Sequence, residues 1–214
     1  MAQKVGIIGS GIVAQTLGAG FLKHDYAVTL GTSNPSKLSE WQQANPGGQV
    51  ATFEETAGAG EVVVLAVKGT VAESVVKALA AQLDGKIVID TTNPIADESP
   101  ENGVIRYFTG PNDSLMERLQ KLASGARFVK AWSSVGSGLM VNPDLPGGPP
   151  TMFICGDDEP AKDGVKEVLK IFGWQVADMG GVQGARAIEP LAMLWCIPGF
   201  LRNQWTHAFH LLGR

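Results

Sequence analysis

Apolar and polar positions along this chain switch repeatedly between two periods. Residues 5–8 form a short apolar run. Across residues 11–23, Val13, Leu17 and Phe21 then recur at i, i+4 and i+8, the single apolar face of a helix. Residues 27–30 read as a second strand and 35–44 as a helix opened by proline. Residues 49–52 form a short strand. Residues 61–67, "EVVVLAV", are apolar on both faces, as a strand inside a parallel sheet must be. Thr70 and Glu73 have capping-box spacing and predict a helix from there to about Leu83. "KIVID", 86–90, is another buried strand. A helix capped by Ser114, with Glu117 in the box position, leads to a sixth strand at 127–131. Strands alternating with helices predict an α/β fold, a Rossmann doubly wound, mostly parallel sheet.

The regularity stops at residues 133–150, which are rich in glycine and proline; loops of that length are usually functional or disordered. Strand 151–155, helix 161–172 and strand 174–178 follow. A long apolar stretch from about Val182 to Leu212 reads as helical, with Pro190 and Pro198 starting, kinking or splitting it. The expected division is a nucleotide-binding Rossmann domain over 1–132. Residues 133–214 are then a C-terminal extension of the same sheet, with a substrate loop and terminal helices.

Composition narrows the function. The chain has 214 residues, a net charge of −4 and no dense basic run, which argues against nucleic acid as a partner. The apolar stretch "PLAMLWCIPGFL" is too short to span a bilayer, and the first strand begins too early for a leader. A cytoplasmic protein with no membrane partner is expected. Cys155 and Cys196 read as reduced core residues, and no metal site is expected. The apolar surface of "PLAMLWCIPGFLRNQW" exceeds what one helix usually buries on its own sheet, so a homodimer through it is expected.

The chemistry begins at Gly9-Ser10-Gly11-Ile12-Val13-Ala14, a G-x-G-x-x-A string between the first strand and its helix. Gly9 allows the tight turn and Gly11 lets backbone approach a pyrophosphate. Ala14 and Gly18 let the helix lie close on the sheet. Beyond the second strand, an NAD-binding protein would carry an Asp or Glu for the ribose hydroxyls. This chain instead has Gly31-Thr32-Ser33-Asn34-Pro35-Ser36-Lys37, which can donate to a 2′-phosphate; NADP(H) is therefore expected. Asn34 also reads as a helix cap. Ala66, Val67 and Lys68 end the fourth strand, and Asp90-Thr91-Thr92-Asn93-Pro94 ends the fifth, facing the same crevice. Asn93 and Pro94 are placed beside the nicotinamide. Trp132, Ser133, Ser134 and Val135 are the expected wall of a second, small-molecule redox substrate. Its glycines (Gly136, Gly138, Gly147, Gly148) would let backbone approach a flat ring. Lys130, Ser133 and Ser134 are candidate proton donors. Lys130, next to a strand end, also reads as a solvated lysine. Trp195 is an alternative ring-stacking surface, and His207 and His210 sit i, i+3 on the expected last helix.

"GIIGSGIVAQTL", "GTSNPSKL", "DTTNP", "VKAWSS", "MVNPDLPGGPPTMFICGDD" and "ARAIEPLAMLW" together resemble the NADPH-binding proteins related to coenzyme F-420-dependent NADP oxidoreductase. These in turn resemble the reductase domain of the STEAP metalloreductases. The resemblance spans nearly the whole chain. It implies an NADP-dependent oxidoreductase that passes hydride to the deazaflavin F-420 or a flavin. It also implies that Ser10, Thr32, Ser33 and Lys37 bind the 2′-phosphate. Two positions depart from the family: Ser33 stands where arginine is common, and Ser133 where a histidine is. The alternatives are a small imine or carbonyl reductase and a non-catalytic NADPH sensor.

Overall fold

A computed structural model describes residues 2–213. Six strands form one sheet: β1 (Lys4–Ile8), β2 (Ala27–Gly31), β3 (Gln49–Ala51), β4 (Val62–Leu65), β5 (Ile87–Asp90) and β6 (Arg127–Lys130). Their spatial order is β3-β2-β1-β4-β5-β6, and every pairing is parallel. The chain reverses direction across the sheet between β1 and β4, the place where such sheets open a ligand crevice. The register aligns the strand ends. Ile8 pairs with Gly31 and Leu65, Leu65 with Asp90, and Asp90 with Lys130. The residues just beyond them therefore share one rim.

The sheet is covered on both faces. On one, α1 (Ile12–Lys23), α2 (Ser39–Ala44) and α6 (Glu159–Ile171) pack around Leu17, Phe21, Trp41, Val165 and Phe172. On the other lie α3 (Phe53–Ala59), α4 (Gly69–Leu83), α5 (Leu115–Leu122) and α7 (Ala185–Ile188), around Ala57, Val76, Leu119 and Ile188. Val63, Val64, Val88 and Ile89 have no exposed surface, which is why the central strands are apolar on both sides.

Five details differ from the sequence expectation. α3 is an additional helix; Thr52 caps it in a full capping box with Glu55. The box expected at Thr70 and Glu73 does not form. α4 starts earlier, with Lys68 as its N-cap and no side-chain cap, because Gly69 lies against the Asn93 carbonyl where no side chain fits. Residues 35–38 are a 3-10 turn leading into α2. β7 (Thr151–Ile154) and β8 (Gln175–Asp178), joined through α6, form their own two-stranded parallel sheet. That sheet touches the main one through a single antiparallel bridge, Lys130 to Cys155, and does not extend it. Finally, the terminal helix stops early. A 3-10 turn (Val182–Gly184) and α7 precede α8 (Pro190–Arg202), which Pro190 opens and which contains Pro198. Asn203 ends it in the left-handed region at φ 53°.

Residues 203–213 run on without helix. They pack back as a strap, with the Thr151 N–H donating to the Phe209 carbonyl and the Trp195 indole to the His207 carbonyl. Their apolar residues thus serve a strap, where the sequence pattern had suggested more helix. Among the described residues, no helix is long and apolar enough to cross a membrane.

Candidate functional site

The rim starts at the glycine turn. Gly9 has φ 146°, and a side chain there would strike the Ala66 carbonyl. Glycine is required for both reasons. Gly11 is different. Its backbone is ordinary (φ −78°, ψ 178°), and a methyl group there would meet no protein atom within 4 Å. No fold contact requires this glycine, and the space beside it is open. Gly11 is the N-cap of α1 and supplies no side-chain cap, so first-turn N–H groups lack a side-chain partner. An uncapped helix start beside open space suits an anion. Ser10 is half-buried, its carbonyl taken by the Gln15 amide at 2.9 Å; Ile12 stands 67% exposed on the rim, and Val13 is half-buried. Gly18 lies on Leu30 and Trp41, so the helix does sit close on the sheet.

After β2 the loop divides its groups between holding itself and facing solvent. Thr32 is buried, and its hydroxyl both accepts from the Asn34 N–H and donates to the Asn34 carbonyl. The Asn34 side chain accepts from the Ser36 N–H and hydroxyl. These two residues build the turn, and Asn34 is the cap that its type suggested. Ser33 and Lys37 are exposed and make no side-chain hydrogen bond or ion pair among the described residues. They are the free donors of this loop.

On the other side of the switch point, Ala66 and Val67 are half-buried at the end of β4, and exposed Lys68 pairs with Asp97. Pro94 is buried. Asn93 donates its amide to the Ser133 carbonyl at 2.7 Å, which ties the end of β5 to the end of β6. The residues expected at the nicotinamide and at the second substrate are therefore in direct contact.

Beyond β6, Trp132 lies at φ 57°, unusual for a bulky side chain. Its ring is buried against Phe21 and Phe172, so it is a core residue with no free face for a ligand. Ser133, Ser134 and Val135 are buried too. The loop that follows splits in two. Leu139 and Met140 enter the core, while Gly147 and Gly148 face open space. Gly136 lies against the Trp195 indole, so the loop and Trp195, read as alternative walls, meet at one place.

Lys130 is not a solvated lysine. It is fully buried, and its ammonium contacts Asp90 at 2.7 Å, Glu189 at 2.9 Å and the Thr92 carbonyl at 2.8 Å. Burial works to lower its pKa, but the two carboxylates outweigh that and hold it above the ordinary lysine range. With three donors and three acceptors, it has no proton to offer a substrate. The sequence could not show Glu189, which sits 59 positions away from Lys130 by their numbers. His207 and His210 are not on a helix. His207 stacks on Trp195 with ring centroids 5.0 Å apart, and His24 caps α1 at the opposite end from the rim. Cys155 and Cys196 are free; burial pushes the Cys155 thiol up to about 12, so it is inert.

A parallel sheet whose first strand ends in a glycine turn, opening an uncapped helix at the topological switch point, defines the class of dinucleotide-binding folds. Within that class, residues 4–94 match the family of NADP oxidoreductases, coenzyme F420-dependent. The resemblance read from the motifs is thereby shown. The chain is 32% identical over 205 residues to the metalloreductase STEAP3 of Rattus norvegicus, covering 94% of this chain and 39% of that protein. It is 28% identical over 142 residues to the F420-dependent NADP reductase of Methanocaldococcus jannaschii, covering 66% of this chain and 63% of that one. The chain thus spans less than two thirds of either relative. A crystal structure from Arthrobacter sp. FB24, described as an F420-dependent NADP-reductase, superposes with a TM-score of 0.92. It is 28% identical and both chains are covered in full. The matched family is one of NADP oxidoreductases, and the Methanocaldococcus jannaschii relative is an NADP reductase.

Proposed function

We propose that this chain binds NADP(H) across the β1–β4 switch point and exchanges hydride between it and a flat ring, a deazaflavin of the F-420 kind or a flavin. The observation that carries the reading is the pairing of two features on one rim. The uncapped α1 start lies beside Gly11's open space, and the uncommitted Ser33 and Lys37 stand one strand away. The first suits a pyrophosphate, and the second suits a 2′-phosphate. Gly9, Gly11, Ile12 and Val13 would cradle the pyrophosphate and Ser10 would turn toward the 2′-phosphate, with Thr32 and Asn34 shaping the loop that presents Ser33 and Lys37. Ala66, Val67 and Lys68 would border the ribose, and Asn93 and Pro94 the nicotinamide.

When bound, the nicotinamide supplies the hydride; the chain supplies alignment and exclusion of water. Transfer between two rings needs no side-chain acid, which agrees with the full commitment of Lys130. The labour divides at residue 132: the first part holds the nucleotide, while Ser133, Ser134 and Val135, backed by Trp195, form the wall toward the acceptor. Leu194, Phe200, Leu201 and Trp205 are exposed on α8 and the strap, which supports a homodimer through this face; light scattering at monomer mass would exclude it.

The test is turnover with purified chain and NADPH against F-420, FMN and a panel of imines. Oxidation of NADPH by F-420 or FMN is expected. Turnover confined to imines would replace the acceptor assignment. NADPH binding without oxidation by any acceptor would make the chain a sensor, and absence of NADPH binding would overturn the reading altogether.

A further inference from the structure

The buried triad around Lys130 sits directly beneath the rim, and its contacts lead to the two strand ends that flank the expected nicotinamide. Asp90 accepts from the Thr92 N–H at 2.9 Å and the Thr92 hydroxyl at 2.7 Å through one oxygen, and from Lys130 through the other. The ammonium also holds the Thr92 carbonyl. Three of Thr92's polar groups are therefore fixed from below. The next residue, Asn93, donates across to the Ser133 carbonyl, and the Asn93 carbonyl is backed by Gly69 at the start of α4.

Glu189, the third member, accepts from the Leu115 and Met116 N–H groups at 3.0 Å each, at the start of α5. One cation and two carboxylates leave one negative charge, which the helix start offsets. The set is complete without a ligand. Asp90, Lys130 and Glu189 come from β5, β6 and the residue that caps α8, so their contacts join three separate elements.

We propose that Lys130 is a positioning residue for the nicotinamide end of the site: its ammonium locks the Thr92–Asn93 turn. Through the Asn93 amide that turn is joined to Ser133, so the two walls flanking the ring are set as one unit. The inference rests on the NADP(H) reading above. It touches neither the pyrophosphate turn nor the Ser33–Lys37 loop, which belong to β1 and β2. That separation supplies the test. NADPH carries the nicotinamide and 2′,5′-ADP lacks it, while both carry the 2′-phosphate.

Calorimetry of both ligands is compared in wild type, Lys130→Met and Lys130→Arg. In Lys130→Met the NADPH dissociation constant is expected to rise by about fivefold or more, with that of 2′,5′-ADP unchanged within about twofold; Lys130→Arg, which keeps the charge, is expected to recover part of the loss. A lysine that only stabilised the fold would shift both ligands together, or neither, and either result overturns the proposal. If Lys130→Met does not fold, because two carboxylates are left buried without their cation, Lys130→Met with Asp90→Asn is measured instead under the same criteria. A wild-type chain that binds 2′,5′-ADP and NADPH equally tightly also overturns the inference while leaving the NADP(H) reading standing. A wild-type chain that binds neither overturns both.

Discussion

Replacing Lys37 with alanine isolates the 2′-phosphate contact. The side chain is exposed on the 3-10 turn Pro35–Leu38 and has no ion-pair partner among the described residues, so its removal should leave the fold alone. Two unit charges about 4 Å apart in water attract by about 1 kcal/mol. A phosphate monoester carries a charge of about −1.5 to −2 at neutral pH, which raises the gross attraction to about 1.5–2 kcal/mol. Ordering an exposed lysine takes some of that back, as it does in surface ion pairs, so the net loss is set at about 1–1.5 kcal/mol. This corresponds to about a five- to tenfold weaker NADPH complex. NADH has no 2′-phosphate and should bind the variant as it binds wild type, within about twofold. Wild type itself should prefer NADPH by about tenfold or more, about 1.4 kcal/mol. Salt gives a second check. The screening length shrinks from about 8 Å at physiological ionic strength to about 3 Å at 1 M, so the gap between wild type and variant should narrow there. Calorimetry with both nucleotides at the two salt concentrations reads all of this. An equal loss for NADH, or a wild type that does not distinguish the nucleotides, would refute the assignment of this loop.

Gly11→Val should abolish detectable NADPH binding with an unchanged melting temperature, because its backbone is ordinary and a Cβ there would meet no protein atom within 4 Å. A folded variant that keeps its affinity would put the pyrophosphate elsewhere. Ser134→Trp should lower turnover with the true acceptor by about tenfold or more while NADPH affinity stays within about threefold; unimpaired turnover would move the acceptor wall away from this loop. Glu117 is 8% exposed, and the Arg186 guanidinium, with help from the Ser114 hydroxyl, holds its carboxyl below the ordinary value of 4.5. A depressed carboxyl contributes stability above its unfolded pKa and loses it as pH falls through the folded one. Thermal melts from neutral to acid pH should therefore show a steeper acid loss in wild type than in Glu117→Gln, and parallel curves would count against the pair.

The first half of the site was legible because its signals are local. The G-x-G-x-x-A turn, its flanking strand and its helix occupy neighbouring residues, and the register delivers them to the rim as their spacing implied. The missing acid after β2 was legible for the same reason. Two errors were also local. Thr52-Phe53-Glu54-Glu55 has the same box spacing as Thr70 to Glu73, and only the former forms. The deciding fact is the close approach of Gly69 to Asn93, which depends on the packing of α4 against the end of β5. The terminal segment misled because apolar residues in a strap and in a helix look alike over a short window. Asn203 was the available stop signal, since asparagine tolerates the left-handed cap.

The second half depends on partners far apart in sequence. Asn93 reaches Ser133 across 40 positions, and Lys130 reaches Glu189 across more. In a local window Lys130 is a charged residue at a strand end, and solvation is the sensible default; only the assembled sheet reveals two carboxylates waiting for it. Trp132 follows the same logic. A tryptophan at φ 57° carries a backbone cost of about 1–3 kcal/mol. Burying its ring against Phe21 and Phe172 returns a comparable amount, about 2–3 kcal/mol for a large apolar side chain. The left-handed residue lies two positions beyond Lys130 and leads into Ser133, whose carbonyl meets the Asn93 amide. The buried lysine and the strained tryptophan are thus adjacent parts of one arrangement. One fixes the end of β5 from beneath, and the other anchors the start of the opposing wall in the core.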